Sequence, residues 1–143
     1  MAIRSAAAEW KGDLEGGNGR FSGESGEIQG AYSFGSRFEE AGGTNPEELI
    51  GAAHASCFSM QFGALLAAGG HTPESVRTEA KVQVLKESEG WTITKIDLVA
   101  TGRVPGIDDA EFQRTAQAAK DSCPVSKALA AVPEINLTAT LES

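Results

Sequence analysis

From Leu49 to Gly70 the chain carries no Asp, Glu, Lys or Arg, and this uncharged run constrains the fold more than any other feature. The preceding residues, Gly42-Gly43-Thr44-Asn45-Pro46-Glu47-Glu48, have the chemistry of a helix start. Asn45 can cap, Pro46 suits the first helical position, and Glu47 and Glu48 fall in the first turn, where the helix dipole favours acids. Gly69-Gly70 supplies the stop. The pattern predicts a helix from Pro46 to about Ala68, roughly 35 Å long at 1.5 Å per residue. Leu49, Ile50, Ala52, Ala53, Phe58, Met60, Phe62, Leu65 and Leu66 spread over every face, and such a helix must be covered on all sides. One small sheet covers a single side, so a second subunit, with an exchanged or shared sheet, is expected. The run approaches membrane-spanning length, but Gly51, His54, Ser56, Ser59, Gln61 and Gly63 interrupt it. It reads as a buried core helix, with no membrane partner.

Around that helix the pattern is α+β. The first segment reads as strand, a Gly-rich turn at Gly16-Gly17-Asn18-Gly19, then strand through Arg20-Phe21 and Glu27-Ile28-Gln29. The turn lacks the strand-then-helix context of a phosphate loop. Val76, Thr78, Ala80, Val82 and Val84 alternate with Arg77, Glu79, Lys81 and Gln83, the period of a half-buried strand. Glu87-Ser88-Glu89-Gly90 then turns the chain into a second strand, Trp91 to Val104, as an antiparallel hairpin. Asp108 can cap a helix whose inner stripe is Phe112, Ala116 and Ala119. Pro124 interrupts that helix and can start a second short one through Leu129, with Cys123 at the joint. A closing strand, Ile135 to Leu141, alternates cleanly.

With 143 residues the chain is expected to form one domain, 1–143. Its net charge of −8, without any Lys/Arg cluster, argues against a nucleic-acid partner. The stretch Met1 to Trp10 is too short an apolar run, ending at an acid, to serve as a signal peptide, so a cytoplasmic protein is expected. In that reducing compartment two cysteines are reactive or simply buried rather than a permanent staple.

Those two cysteines are Cys57, inside the uncharged helix, and Cys123, at the joint before Pro124. A thiol in an apolar helix interior has its pKa raised by desolvation and gains little from the dipole. To act as a nucleophile, Cys57 needs a fixed cation, and that cation needs a carboxylate to hold it. The candidate cations are Arg20 and Arg37, and the candidate carboxylates are Glu47 and Glu48. The competing reading of Cys57 is plain packing.

Four strings carry a resemblance: Tyr32-Ser33-Phe34-Gly35-Ser36-Arg37-Phe38-Glu39, the long run from Gly43-Thr44-Asn45-Pro46-Glu47 through His54-Ala55-Ser56-Cys57-Phe58-Ser59-Met60, Ile93-Thr94-Lys95-Ile96, and Cys123-Pro124-Val125-Ser126. In order, over essentially the whole chain, they resemble the osmotically inducible protein C (OsmC) family, related to the organic hydroperoxide resistance (Ohr) proteins. The resemblance implies an α+β fold of antiparallel sheets packed around a long central helix, in an intertwined homodimer. It also implies a cysteine-based peroxidase acting on organic hydroperoxides and hydrogen peroxide, without cofactor or metal. By motif, Cys57 matches the peroxidatic cysteine, Cys123 the resolving cysteine that forms an intramolecular disulfide with it, Arg37 the thiolate-stabilising arginine and Glu47 the acid that orients it. The implied reductant is a dithiol such as a lipoylated protein. Where the Ohr branch places its arginine, this chain has Glu15-Gly16-Gly17, which favours the OsmC branch and puts Arg20 second to Arg37.

Helix geometry adds one expectation. Glu47 and Cys57 are 57 − 47 = 10 residues apart, a rise of roughly 15 Å and a rotation of about 280° on one helix, too far for one arginine to bridge. The Arg37/Glu47 pair is therefore expected to serve the Cys57 of a partner chain, placing the active sites at the dimer interface. Phe38, Phe58, Met60 and Phe62 could line an apolar mouth, or simply form core. Three other readings compete. His54, Cys57, His71 and Cys123 could hold a metal, His54 could act as base for Cys57 in acyl transfer, or an apolar cavity could bind a lipid-like ligand without catalysis.

Overall fold

The computed structural model describes residues 1–142. Its order of elements is β1 (Ala6–Lys11), β2 (Asn18–Gly23), β3 (Gln29–Tyr32), α1 (Phe34–Phe38), α2 (Pro46–Ala68), β4 (Ser75–Glu87), β5 (Gly90–Arg103), α3 (Asp109–Ser122), α4 (Pro124–Ala128) and β6 (Glu134–Glu142). The chain divides into two compact units at Leu49/Ile50.

The first unit is a three-stranded antiparallel sheet, β1-β2-β3, followed by α1 and the opening of α2. Asp13 makes the first turn: its carboxylate accepts from the Gly16 N–H at 2.6 Å and its carbonyl from the Gly17 N–H at 3.0 Å. Gly19 is required because a Cβ there would fall within 3 Å of both Tyr32 and Trp10, whose rings stack across it at 5.5 Å. The expected strand at Glu27-Ile28-Gln29 begins only at Gln29, because Glu27 and Ile28 are spent in the turn after β2. α1 was not anticipated. Its cap is reciprocal, the Ser33 hydroxyl accepting from the Ser36 N–H and the Ser36 hydroxyl from the Ser33 N–H.

The second unit carries the sheet β4-β5-β6. β4 and β5 form the expected antiparallel hairpin, its turn closed by Gly90 at φ +120°, with a register irregularity at Gln83/Val84. β6 runs parallel to β5, from Lys95 opposite Glu134 to Arg103 opposite Glu142. The second sheet is therefore mixed where wholly antiparallel sheets were expected, since α3 and α4 carry the chain back before it re-enters the sheet. Phe58, Phe62 and Leu66 of α2, Ile96, Leu98 and Ala100 of β5, and Phe112, Ala116 and Ala119 of α3 make one core. α3 starts as its sequence dictates, with Asp108 Oδ1 accepting from the Glu111 N–H at 2.8 Å.

α2 is capped by Asn45, whose Oδ1 accepts from the Glu48 N–H at 2.8 Å, and it ends at Gly70 with φ +92° and a His71 N–H to Leu66 carbonyl bond of 2.9 Å. By length and composition alone it could cross a membrane, at a mean hydropathy of 1.3. Its inward stripe is Gly51, His54, Phe58, Phe62 and Leu66, while Ala52, Ser56, Met60 and Ala64 form an exposed stripe four residues apart, Met60 being 81% exposed.

Candidate functional site

Arg37 leaves the last turn of α1 and meets Glu47 in the first turn of α2. The guanidinium Nη2 donates to Oε1 at 2.8 Å, and Nε lies 3.1 Å from both carboxylate oxygens. Local hydrogen bonds make this meeting obligatory. The Ser36 hydroxyl donates to the Thr44 carbonyl at 2.7 Å, and the Asn45 side-chain amide donates to the Ser36 carbonyl at 3.0 Å while its oxygen caps α2. Three adjoining residues thus lock α1 onto the start of the long helix. Glu47 is buried, its charge fully occupied by Arg37, whose side chain remains 37% exposed and lies 5.0 Å from the Phe38 ring centre. Beside the pair, Trp10, Leu14, Tyr32, Ser33, Phe34, Arg37 and Phe38 enclose a cavity of about 270 Å³. Arg20 lies elsewhere, exposed on β2 opposite Glu9, and Glu48 is exposed one position beyond Glu47.

In the second unit, Cys57 is half-buried on α2 and Cys123 is fully buried at the junction of α3 and α4, where it is at once the C-cap of one helix and the N-cap of the other. Both are free thiols, near enough that each perturbs the ionisation of the other. Burial pushes the Cys57 thiol up and the adjacent Cys123 thiol adds to that, with the Val125 backbone pulling the other way. Burial also opposes ionisation of Cys123. There, the Ser126 backbone, the Cys57 thiol, the Ser126 hydroxyl and the Val125 backbone together outweigh burial and bring the thiol below its ordinary value. Within its own unit, then, Cys57 meets the desolvation its sequence context predicts, opposed by the Val125 backbone.

His54 sits one turn before Cys57, fully buried, with Nε2 2.7 Å from the Ser126 hydroxyl. Burial lowers its pKa and keeps the imidazole neutral. His71 instead pairs with Glu111 of α3 at 3.5 Å. The four-residue metal set is therefore not assembled, and no group of three His, Cys, Asp or Glu side chains suited to a metal occurs among the described residues. The acyl-transfer reading also weakens, since the Nε2 that would serve as base is held by Ser126. Phe58 and Phe62 are fully buried core, Met60 is exposed, and Phe38 lines the cavity beside Arg37. Ser126 was missed as a candidate although its string was recognised. The clue was positional: Ser126 follows Cys123 by three residues as Cys57 follows His54.

The sequence profile of a family described as "OsmC-like protein" matches residues 39–138. The chain belongs to the OsmC-like family. It is 48% identical over 141 residues to the peroxiredoxin OsmC of Escherichia coli (strain K12), covering 98% of this chain and 97% of that one. It is also 33% identical over 100 residues to an organic hydroperoxide resistance protein of Xanthomonas axonopodis pv. citri, covering 67% of this chain and 66% of the relative. Among solved structures, an organic hydroperoxide resistance protein from Elizabethkingia anophelis shares the OsmC-like fold at a TM-score of 0.76 and 21% identity, covering 99% of each chain. An OsmC-like protein from Mycoplasma pneumoniae does so at a TM-score of 0.77 and 16% identity, again covering 99% of each.

Proposed function

We propose that this OsmC-like chain is a cysteine-based peroxidase that reduces organic hydroperoxides and hydrogen peroxide through Cys57 and Cys123. The observation that carries the reading is the nearness of two free thiols on separate elements, in a chain 48% identical to a peroxiredoxin. The Cys57 thiolate attacks the terminal peroxide oxygen, the O–O bond breaks, and the alkoxide leaves and takes up a proton as alcohol. Sulfur loses two electrons and becomes sulfenic acid. Arg37 stabilises the thiolate and the developing alkoxide, and Glu47 holds Arg37 in orientation. Cys123 then attacks the oxidised sulfur, expels water and closes an intramolecular disulfide before further oxidation, and an external dithiol, such as a lipoylated protein, reopens it by exchange.

The peroxidase acts as a homodimer with shared sites. Glu47 and Cys57 lie ten residues apart on one unbroken helix, Pro46–Ala68, a rise of roughly 15 Å, which favours an Arg37/Glu47 pair serving the partner's cysteine. The exposed stripe of α2 is the surface such a partner would cover. On this reading both units work as one domain in the cytoplasm, and the cavity beside Arg37 and Phe38 receives the organic tail.

Mass spectrometry of peroxide-treated protein tests the cycle. Wild type should yield a Cys57–Cys123 disulfide, and Cys123→Ser a sulfenic acid at Cys57. Peroxide-treated protein with both thiols intact would sink the peroxidase reading.

A further inference from the structure

His54 is a buried histidine to which the cycle above gives no role. Its ring is fully buried, one nitrogen is 2.7 Å from Ser126 Oγ, and the other, Nδ1, is buried with no hydrogen-bond partner among the described residues. An apolar side chain would fill the same space without an orphaned polar atom, whose desolvation is costly. The compensating interaction is the bond to Ser126, and its place in the fold is specific. Cys57 follows His54 by three positions on α2, and Ser126 follows Cys123 by three at the start of α4. The His54–Ser126 bond therefore braces the two cysteine-bearing elements one helical turn from the thiol pair.

The orphaned nitrogen also indicates the direction of that bond. Were Nε2 the acceptor, the proton would sit on Nδ1 and leave a buried N–H donor unsatisfied. Orphaned buried N–H groups are the rarer defect, and an unused acceptor is the milder one. Nε2–H therefore donates to Ser126 Oγ, which leaves the Ser126 O–H free to donate in turn; Cys123 is the N-cap of α4 and Ser126 its third residue, and the hydroxyl favours the Cys123 thiolate.

We infer that His54 Nε2–H, Ser126 O–H and Cys123 Sγ form a donor chain that holds Cys123 ready to attack oxidised Cys57. His54 is thus a positioning residue for the resolving step, acting through Ser126. The inference rests on the proposed peroxidase cycle, with hydroperoxide as the oxidant. In the step concerned, the Cys123 sulfur attacks the Cys57 sulfenic sulfur, an S–S bond forms, the S–O bond breaks, and hydroxide leaves and takes a proton from solvent as water. The Cys57 sulfur gains one electron and the Cys123 sulfur loses one.

The first test needs no peroxide, so its failure is distinct from failure of the peroxidase reading. In reduced Cys57→Ser protein, Cys123 is titrated by its ultraviolet thiolate absorbance. Ser126→Ala and His54→Leu should each leave about tenfold less thiolate at neutral pH, one pKa unit. His54→Gln, whose amide can still donate to Ser126, should restore most of it. In single-turnover experiments with Cys57 present, sulfenic acid formation should stay within about twofold of wild type, while disulfide closure slows about tenfold in Ser126→Ala and His54→Leu. An unchanged Cys123 titration and closure rate in folded Ser126→Ala protein overturns the inference. So does equal slowing by His54→Leu and His54→Gln with no effect of Ser126→Ala, which would reduce His54 to packing. If His54→Leu fails to fold, Ser126→Ala, which removes only a hydroxyl, decides alone.

Discussion

Arg37 grips Glu47 through two guanidinium nitrogens, with Nη2 2.8 Å from Oε1 and Nε 3.1 Å from both oxygens. Because Glu47 is 6% exposed and accepts from Arg37, removing the arginine leaves a buried carboxylate without its cation. Arg37→Ala should destabilise the protein by about 1–3 kcal/mol, a figure reduced from that of a fully buried pair because the Arg37 side chain is 37% exposed. It should lower peroxidase turnover by about a hundredfold, the usual loss when a preorganised donor to developing negative charge is removed. Arg37→Lys keeps the charge but not the two-nitrogen grip, so it should recover stability more than activity. Thermal melts and hydroperoxide consumption assays measure the two effects separately, and an Arg37→Ala enzyme with wild-type turnover would remove the arginine from the mechanism.

The raised pKa of Cys57 gives a pH prediction. Burial holds the thiol protonated above its ordinary range, so any group that makes it reactive at neutral pH must act against that shift. In a Cys123→Ser background, alkylation of Cys57 should follow its thiolate fraction. Arg37→Ala should move the midpoint to higher pH, slowing alkylation at neutral pH and converging with the parent in alkali. Coincident profiles would show that Arg37 does not reach Cys57.

The parts of this design legible in the sequence are those with local causes. Asn45, Pro46 and Gly70 mark the ends of α2, Asp108 starts α3, alternation marks β4 and β6, and the turn ending at Gly90 marks β5 as the second arm of a hairpin. α1 escaped because its cap pairs Ser33 with Ser36, where the familiar signature has an acid or amide at the second position. Alternation also says that 134–142 is a strand without saying which way it runs, so the parallel pairing of β6 with β5 had to come from the structure. The candidate site was partly legible. The structure brings Arg37 to Glu47 and Cys57 to Cys123, whereas the His54–Ser126 bond joins residues 72 positions apart and left no local signal.

His54 gives stability its own pH dependence. Burial depresses its pKa below the ordinary imidazole value of 6.5. A depressed folded-state pKa means stability that is present above the unfolded value and lost as pH falls, because the unfolded chain takes up a proton that the buried imidazole refuses. Below about pH 6.5 the wild type should lose up to roughly 1.4 kcal/mol per pH unit from this one group. Denaturant titrations of wild type and His54→Gln should show a flatter acid limb in the variant, and parallel limbs would assign acid sensitivity to other groups.

Phe112 packs directly over Gly102, where a Cβ would lie 2.6 Å from the ring edge. The ring is fully buried and stacks at 5.0 Å on Phe62 of α2, so it has no room to retreat. Gly102→Ala should destabilise by about 1–3 kcal/mol through overpacking, read as a fall in the denaturation midpoint. A neutral substitution would mean that α3 can lift from the sheet.

The shared-site arrangement makes the sharpest prediction. If Arg37 and Glu47 of one subunit serve Cys57 of the other, Cys57→Ser and Arg37→Ala homodimers are both inactive, yet a mixed dimer holds one complete site. That site combines Arg37 from the first variant with Cys57 from the second. Random subunit exchange gives half mixed dimers, each with one working site of two, so activity should recover to about a quarter of wild type. If each site is built from one chain alone, a mixed dimer contains no complete site and stays inactive. Confirming heterodimers by native mass spectrometry before the assay makes the outcome decisive, since recovery requires Arg37 and Cys57 to meet across the interface.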